Sequence, residues 1–234
     1  MPSIAETYRL TKKTPDLLWN EYVCRPVAAV LVHALSGSRI TPNQVTLASL
    51  LVAVVAAALL IVLPGYAGLV VAVVVYEISY VLDCADGMLA RLRNVQSVPG
   101  HLFDFLMDEI KAFLILGASS VRLYSDRGRN DVYLLLGIAG LCALASGIAL
   151  TTFVRRPEIQ GPAAGASEPG PRGGLAAAVA LVERFAKVLI HYPSYIWIAA
   201  LAGRLEIYFY PYIVVNAVYA ARTMLQVALR FGRR

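Results

Sequence analysis

The chain alternates long apolar runs with short polar links, a pattern that predicts helices crossing a membrane. A spanning helix needs about 20 predominantly apolar residues. A Thr41-Pro42 start signal precedes the first run, and Pro64-Gly65 ends it. The predicted fold class is therefore an all-α polytopic membrane protein with six transmembrane helices. These are Asn43–Leu63, Tyr66–Leu89, His101–Val121, Val132–Val154, a fifth that continues past Pro193 and ends near Gly203, and Ile207–Leu229.

The segment before the first span has a different pattern. Thr14–Ser38 mixes apolar and charged residues at helical spacing, and Trp19 and Tyr22 suit headgroup depth. This predicts an N-terminal amphipathic helix that lies in the membrane interface. We therefore interpret residues 1–40 as a cytoplasmic arm with this interfacial helix, and 41–230 as the six-span bundle of one domain that covers the whole chain.

One long link interrupts the pattern of spans. Arg155–Gly174 is rich in Pro, Gly, Ala and Ser and predicts a flexible loop. Leu175–Ile190 then predicts an amphipathic helix that leads into the fifth span.

Composition supports a membrane location and narrows the partners. The 234 residues are 59% hydrophobic and 15% charged, with a net charge of +6, and the mean hydropathy is +0.65. These values exclude a water-soluble or disordered chain. The sequence has no nucleic-acid-binding motif, so the basic charge favours anionic membrane lipids as partners and no nucleic acid.

The distribution of Lys and Arg predicts the orientation. With six spans, both termini and the links after spans two and four share the side that holds most of these residues. The other side holds only Arg122, Arg127, Arg129 and Arg204. The positive-inside rule then places both termini in the cytoplasm of a multi-pass cell-membrane protein.

Four aspartates fall on two stripes at the cytoplasmic ends of spans two and three. Asp83 and Asp86 share a helix face with Gly87, Ala90 and Arg91, because their offsets are three or four residues. On the next helix, Gly100, Asp104 and Asp108 follow at steps of four. Since a short link joins the two helices, we expect them to pack side by side and to bring the four carboxylates into one pocket.

Such a pocket would be strongly anionic. Four close carboxylates take up protons or bind metal, and oxygen ligands without His or Cys favour Mg²⁺ or Mn²⁺. Two ions about 4 Å apart suit pyrophosphate chemistry. Gly87 and Gly100 leave room for a nucleotide, and Arg91 suits phosphate oxygens.

Several of these residues also have structural interpretations. Gly87 and Ala90 taken alone suit close helix packing, and Asp104 or Asp108 alone suits pairing with Lys111. Pairing does not explain four aspartates on two adjoining stripes, because an equal number of bases is lacking. Acids inside a membrane are functional by default.

The run from Asp83 to Asp108 resembles the signature of the CDP-alcohol phosphotransferases. All its fixed positions are present at the family's spacing, and the resemblance extends to the Thr41–Thr46 start of the first span and the six-span layout. It implies a membrane enzyme, commonly a homodimer, that transfers a phosphoalcohol group from a CDP-activated donor to a hydroxyl acceptor and releases CMP. The family's fixed positions in this sequence are Asp83, Asp86, Gly87, Ala90, Arg91, Gly100, Asp104 and Asp108.

The resemblance also implies a role for each position. Asp83, Asp86 and Asp104 would be metal ligands, and Asp108 would share the metal site and act as the general base. The residues that would border the nucleotide are Asn43, Thr46, Asp83, Gly87, Ala90, Arg91 and Gly100. Asn43 could instead be only a helix cap.

The substrates are less constrained. The donor is expected to be CDP-diacylglycerol or another CDP-alcohol, and a phosphate on the acceptor would need nearby bases. Candidates are Lys111, Arg155, Arg156 and Arg222, although Arg155 and Arg156 also suit topology signalling. The alternative function is a non-enzymatic protein that binds divalent cations, either a carrier or an inactive relative.

Overall fold

The computed structural model describes residues 3–13, 16–160 and 188–232. All regular secondary structure in these ranges is helical, which confirms the all-α part of the predicted fold class. A π-helical turn, Asn20–Cys24, leads directly into α2, and a 3-10 turn, Tyr192–Ser194, precedes α8. The α-helices are α1 (Ile4–Thr11), α2 (Arg25–Leu35), α3 (Pro42–Val62), α4 (Gly65–Leu92), α5 (Val98–Asp126), α6 (Val132–Val154), α7 (Pro157–Gln160), α8 (Ile196–Leu201) and α9 (Glu206–Phe231).

Local signals fix the start of α3. The Thr41 hydroxyl accepts a hydrogen bond from the Gln44 amide at 3.3 Å, and the Gln44 side chain accepts one from the Thr41 amide at 2.9 Å. This capping box satisfies backbone donors that the helix leaves without a partner. Because Thr41 is the cap, the interpretation of Asn43 as only a cap is wrong.

Four helices are long and apolar enough to cross a membrane: α3, α4, α6 and α9. They correspond to the first, second, fourth and sixth predicted spans. α5 has 29 residues, but charged side chains interrupt it. The fifth predicted span is described only from residue 188, and most of the predicted loop and amphipathic helix before it lies outside the described residues. The protein is therefore a membrane protein, and the count of six spans stays a prediction.

The N-terminal segment contains more helix than the sequence pattern indicated. α1 was not predicted, and α2 with the helical turns before it forms the central and C-terminal part of the predicted interfacial helix. Both pack on the bundle, since α1 contacts α2 and α4, and α2 contacts α4. The apolar contact between this segment and the bundle buries Cys24, Ala28, Ala29, Val32, Val45, Ala85, Met88 and Leu89. The position of the segment relative to a membrane interface stays a prediction.

The arrangement of α3, α4 and α5 differs from the one expected. α3 packs along α4 and also along α5, whereas α5 packs mainly on α3 and α6 and not along α4. The prediction that the two acid-bearing helices pack side by side is therefore wrong. The physical reason is that a link of several residues, Arg93 to Ser97, lets α5 diverge from α4 while α3 supports both helices. The aspartates line the cleft between them.

Candidate active site

Three of the four predicted aspartates meet where α4 ends and α5 begins. One carboxylate oxygen each from Asp83, Asp104 and Asp108 lie within 4.8 Å of one another. Ser97 fixes the start of α5, because its hydroxyl accepts a hydrogen bond from the Gly100 amide at 3.1 Å. Asp104 and Asp108 then fall on successive turns of one helix face.

The three carboxylates differ in their surroundings. The side chain of Asp108 is 51% exposed, whereas that of Asp83 is 14% exposed. Asp104 has a buried oxygen, Oδ1, without a hydrogen-bond partner among the described residues. A buried polar atom without a partner is costly, and an oxygen-only donor set suits a hard divalent cation. The residues present therefore fit a metal ion.

Asp86 lies outside this group of three. It is buried, and its Oδ2 accepts a hydrogen bond of 2.5 Å from the Thr46 hydroxyl on α3. Thr46, predicted to border the nucleotide, thus contacts a predicted metal ligand directly. The structure brings Asp86 next to the carboxylate group but not into it.

Lys111 lies inside the acidic group. Its ammonium forms an ion pair with Asp83 and another with Asp108 at 2.8 Å, and it donates a hydrogen bond to the Ser49 hydroxyl at 3.2 Å. Ser49 in turn donates to the Ser79 carbonyl at 2.8 Å, and the Ser79 hydroxyl donates to the Ser49 carbonyl at 2.8 Å. This pair joins α3 to α4 beneath the carboxylates. Sequence reasoning missed both serines, because small hydroxyl residues in an apolar helix give no distinctive signal.

The predicted nucleotide-binding residues occur in two places beside the carboxylates. The Arg91 guanidinium folds back over Gly87, with Nη1 3.4 Å from the point that a Cβ on Gly87 would occupy. The Asn43 side chain lies 3.7 Å from the corresponding point on Gly100. Side chains at either glycine would therefore fill space next to a polar group of the site. Ala90 is half-buried on the same helix face as Gly87.

A cavity of about 590 Å³ opens beside Asp108. Asp108, Glu109 and Lys111 line one part of its wall, and Arg155 lines another. The rest of the lining combines aliphatic side chains with five tyrosines, which are Tyr76, Tyr80, Tyr192, Tyr212 and Tyr219. Asp108 thus lines a space large enough for a small molecule.

A second cavity of about 300 Å³ adjoins the first, since both are lined by Thr151, Arg155 and Tyr219. Arg222 lines the second cavity, so two of the four acceptor candidates lie together. Lys111 instead lies within the acidic group. Arg156 is exposed and lines neither of these two cavities.

A hydrogen-bonded chain on the wall of the larger cavity was missed from sequence. The Tyr80 hydroxyl donates to the Asn20 side chain at 2.6 Å and lies 2.9 Å from Nε2 of His191. Since the single Tyr80 proton goes to Asn20, Nε2 of His191 is the donor to Tyr80. Nδ1 of His191 lies 2.7 Å from the Ser194 hydroxyl. The sequence did not indicate this chain, because Asn20, Tyr80 and His191 lie far apart in the sequence.

Glu77 also has a partner that the sequence did not indicate. The indole N–H of Trp19 donates to Glu77 Oε2 at 3.1 Å, and Trp19 stacks on Trp197 with ring centroids 4.7 Å apart. The N-terminal segment therefore contacts both α4 and the helix near the end of the fifth predicted span.

Comparisons with known proteins identify the family of this chain. The family model for CDP-alcohol phosphatidyltransferase matches residues 39–206, which include every aspartate of the site. No curated protein matches the sequence. The match covers most of the chain and confirms the resemblance that the Asp83–Asp108 run indicated. The chain belongs to the CDP-alcohol phosphatidyltransferase family, whose members are membrane transferases that move a phosphoalcohol group from a CDP-alcohol to an alcohol acceptor.

Proposed function

We propose that this protein is a metal-dependent enzyme that transfers a phosphatidyl or related phosphoalcohol group from a CDP-linked donor to a hydroxyl acceptor. CMP is the second product, and the role is phospholipid or related phosphodiester synthesis. The observation that carries the proposal is the convergence of Asp83, Asp104 and Asp108 within 4.8 Å beside the larger cavity. Membership of the family supports the reaction class.

Asp83, Asp104 and Asp108 would hold the metal, with Asp86 completing the set for two Mg²⁺ or Mn²⁺ ions. The buried, unpartnered Oδ1 of Asp104 supports this assignment. When bound, the ions would neutralise the donor diphosphate and the leaving phosphate. Thr46 would orient Asp86 through the hydrogen bond between them.

Asp108 is the best candidate for the general base. It is the most exposed carboxylate of the three and faces the cavity in which an acceptor would lie. The acceptor oxygen would form a bond to the β-phosphorus while the bond from that phosphorus to the CMP oxygen breaks. The hydroxyl proton would pass to Asp108. Lys111 would hold the Asp108 carboxylate in place, since it also pairs with Asp83.

The donor would lie between α3, α4 and the start of α5. Gly87, Ala90 and Gly100 would leave room for it, Asn43 would lie beside the nucleotide, and Arg91 would contact phosphate oxygens. CDP-diacylglycerol is the expected donor, because its nucleotide is polar and its acyl chains suit the apolar flanks of α3 and α4.

The acceptor would occupy the larger cavity. Arg155 and Arg222, which line the adjoining smaller cavity, favour an acceptor that carries a phosphate. Arg156 lies on the exposed surface and suits topology signalling better.

We expect six spans, with α5 as the third, because its 29 residues extend about 43 Å. We also expect cytoplasmic termini and a homodimer.

The alternative is a non-enzymatic cation-binding protein. Transporters place their ion sites near the middle of the membrane, whereas these carboxylates lie where α4 ends and α5 begins. This placement favours an enzyme that meets a water-soluble nucleotide.

The test is an assay of the purified protein with radiolabelled CDP-diacylglycerol and Mg²⁺ or Mn²⁺. A panel of alcohols with and without a phosphate group would serve as acceptors. We expect CMP release that requires both the metal and an acceptor, with phosphorylated alcohols preferred. Metal binding by a folded protein that releases no CMP with any CDP-alcohol donor would favour the alternative.

A further inference from the structure

The helix α1 lies outside residues 39–206, the part of the chain that matches the family, yet it contacts a residue of the proposed donor pocket. The Nε–H of Arg91 donates a hydrogen bond of 2.9 Å to the main-chain carbonyl of Thr11, the last residue of α1. Carbonyls in the last turn of a helix accept no hydrogen bond from a backbone N–H of the same helix. The Thr11 carbonyl is therefore free to hold the guanidinium.

This bond leaves the other end of the guanidinium available. Among the described residues, Nε is the one guanidinium nitrogen of Arg91 with a hydrogen-bond acceptor. Nη1 and Nη2 lie 3.4 and 3.7 Å from the point that a Cβ on Gly87 would occupy. The two Nη groups are thus aligned along the helix face that also carries Asp83 and Asp86.

The anchoring of α1 is strong enough to make the Thr11 carbonyl a fixed acceptor. The side chains of Thr7 and Thr11 are fully buried, and the Thr11 hydroxyl donates to the Thr7 carbonyl at 2.7 Å. The Tyr8 hydroxyl donates to the Glu21 carbonyl at 3.0 Å, and Lys12 pairs with the Glu21 carboxylate at 2.5 Å. α1 is therefore attached to the π-helical turn as well as to α4.

A buried ion pair anchors the chain that follows α1. Arg25 pairs with Asp16, which also accepts a hydrogen bond from Asn20 at 3.0 Å. Burial by itself would raise the pKa of Asp16, but the hydrogen bonds from Arg25 and Asn20 outweigh burial and hold it below its ordinary value. Asp16 is therefore charged at neutral pH and keeps the segment closed against α2.

We propose that α1 is a positioning element for donor binding: the Thr11 carbonyl fixes Arg91 so that its two Nη groups face the donor diphosphate. This inference rests on the proposed function. A guanidinium held in advance loses less freedom when it binds phosphate oxygens in a bidentate manner. A lysine at the same position has no Nε–H equivalent that could reach Thr11 while leaving a fork for phosphate.

The test is a double-mutant cycle on the full chain, with CDP and Mg²⁺ as the probe. Thr7→Lys places a charge at a fully buried position and displaces α1, whereas Arg91→Lys keeps the charge but loses the bond to Thr11. Each variant should weaken CDP binding roughly tenfold, which is about 1.4 kcal/mol. The two changes should not add, because both break the same contact.

Matched variants separate positioning from general damage. Thr7→Val keeps the shape of a side chain whose Oγ1 has no hydrogen-bond partner among the described residues, and should bind CDP like the wild type. Arg93 contacts the carbonyls of Leu35, Ser38 and Ile40 instead of α1. Adding Thr7→Lys to the Arg93→Lys protein should therefore still weaken CDP binding by the full tenfold. Deletion of residues 2–11 removes α1 without burying a charge and serves as the second variant if Thr7→Lys does not fold.

The outcomes distinguish this inference from the proposed function. Additive losses in the Thr7→Lys/Arg91→Lys protein, or unchanged CDP affinity after displacement of α1, would overturn the role of α1 alone. A folded wild type that does not bind CDP would overturn the donor pocket, and the role of α1 with it. An acceptor KM that rises as much as the CDP dissociation constant would indicate general disruption and also contradict positioning.

Discussion

The two ends of α5 both bury charge, but they do so in different ways. At its start, Asp104 and Asp108 meet Asp83 from α4, with Lys111 as the base that contacts the group. At its end, Arg122 donates to the carbonyls of Leu60, Leu63 and Gly65 at 3.2, 2.7 and 2.6 Å. Asp126 lies 3.1 Å from Arg122 and balances its charge.

The difference separates the proposed metal-binding group from a structural one. Arg122 is 3% exposed, and its partners include the Leu60 and Leu63 carbonyls at the end of α3, which need donors. It therefore closes the helix turn, and Asp126 balances its charge. The three carboxylates at the other end outnumber the single lysine that contacts them, so a cation bound there would balance their excess charge.

The largest expected effect comes from removing the charge of a carboxylate at the acidic end. Asp108→Asn should retain metal-dependent CDP binding but reduce kcat about 10²- to 10⁴-fold, the usual contribution of a general base. Asp83→Asn and Asp86→Asn should instead lose metal-dependent CDP binding. Steady-state kinetics and equilibrium binding of CDP would measure the two effects.

Asp126→Asn is the matched control, because it changes an aspartate at the other end of the same helix. It should leave kcat within about twofold of the wild type, since a pair with a partly exposed acid contributes little. Equal losses of binding and turnover in the Asp83, Asp86 and Asp108 variants would remove the assigned roles.

At the opposite end, Arg122→Met should reduce stability and leave activity per folded molecule unchanged. The variant leaves carbonyls at the turn without their donor, and an unsatisfied buried group costs about 1–3 kcal/mol. Thermal unfolding in detergent would measure the change. A loss of kcat in fully folded Arg122→Met would show that the two ends are not separate in function.

The base within the acidic group provides a sharper test. Lys111→Gln removes the positive charge that competes with a metal for Asp83 and Asp108, so Mn²⁺ should bind roughly tenfold more tightly, or about 1.4 kcal/mol. Titration calorimetry of the purified protein would measure this affinity. Lys111→Arg keeps the charge and should change the affinity little. Weaker Mn²⁺ binding by Lys111→Gln would mean that Lys111 holds the ligands in place more than it competes.

The smallest effect is expected at Tyr80, which lines the larger cavity but has all its hydrogen bonds within the protein. If satisfied polar groups are structural even near the site, Tyr80→Phe should reduce the free energy of unfolding by about 0.5–1.5 kcal/mol. Its kcat should stay within about twofold of the wild type. Unfolding curves and kinetics on the same preparation would test this, and a large loss of kcat without a loss of stability would contradict it.

The start of α3 and the stripes of aspartates show which structural features a local sequence pattern can predict. The Thr41-Pro42 signal placed the start of α3 within one residue, because capping depends on neighbours in the chain. The helical offsets of Asp83 and Asp86, and of Asp104 and Asp108, likewise follow from the period of a helix. α1 was missed because it is short and lacks an apolar run, and its burial comes from contacts with α2 and α4.

The sequence by itself determined the helical class, the membrane character, the family and which side chains carry the candidate chemistry. These properties depend on composition, spacing and local caps. The tertiary structure decided that α3 lies against both acid-bearing helices, that Asp86 is held apart by Thr46, and that Lys111 lies among the carboxylates. It also placed the Thr11 carbonyl on Arg91. Such contacts join residues that are far apart in the chain, and the packing of whole helices, which no local pattern records, brings them together.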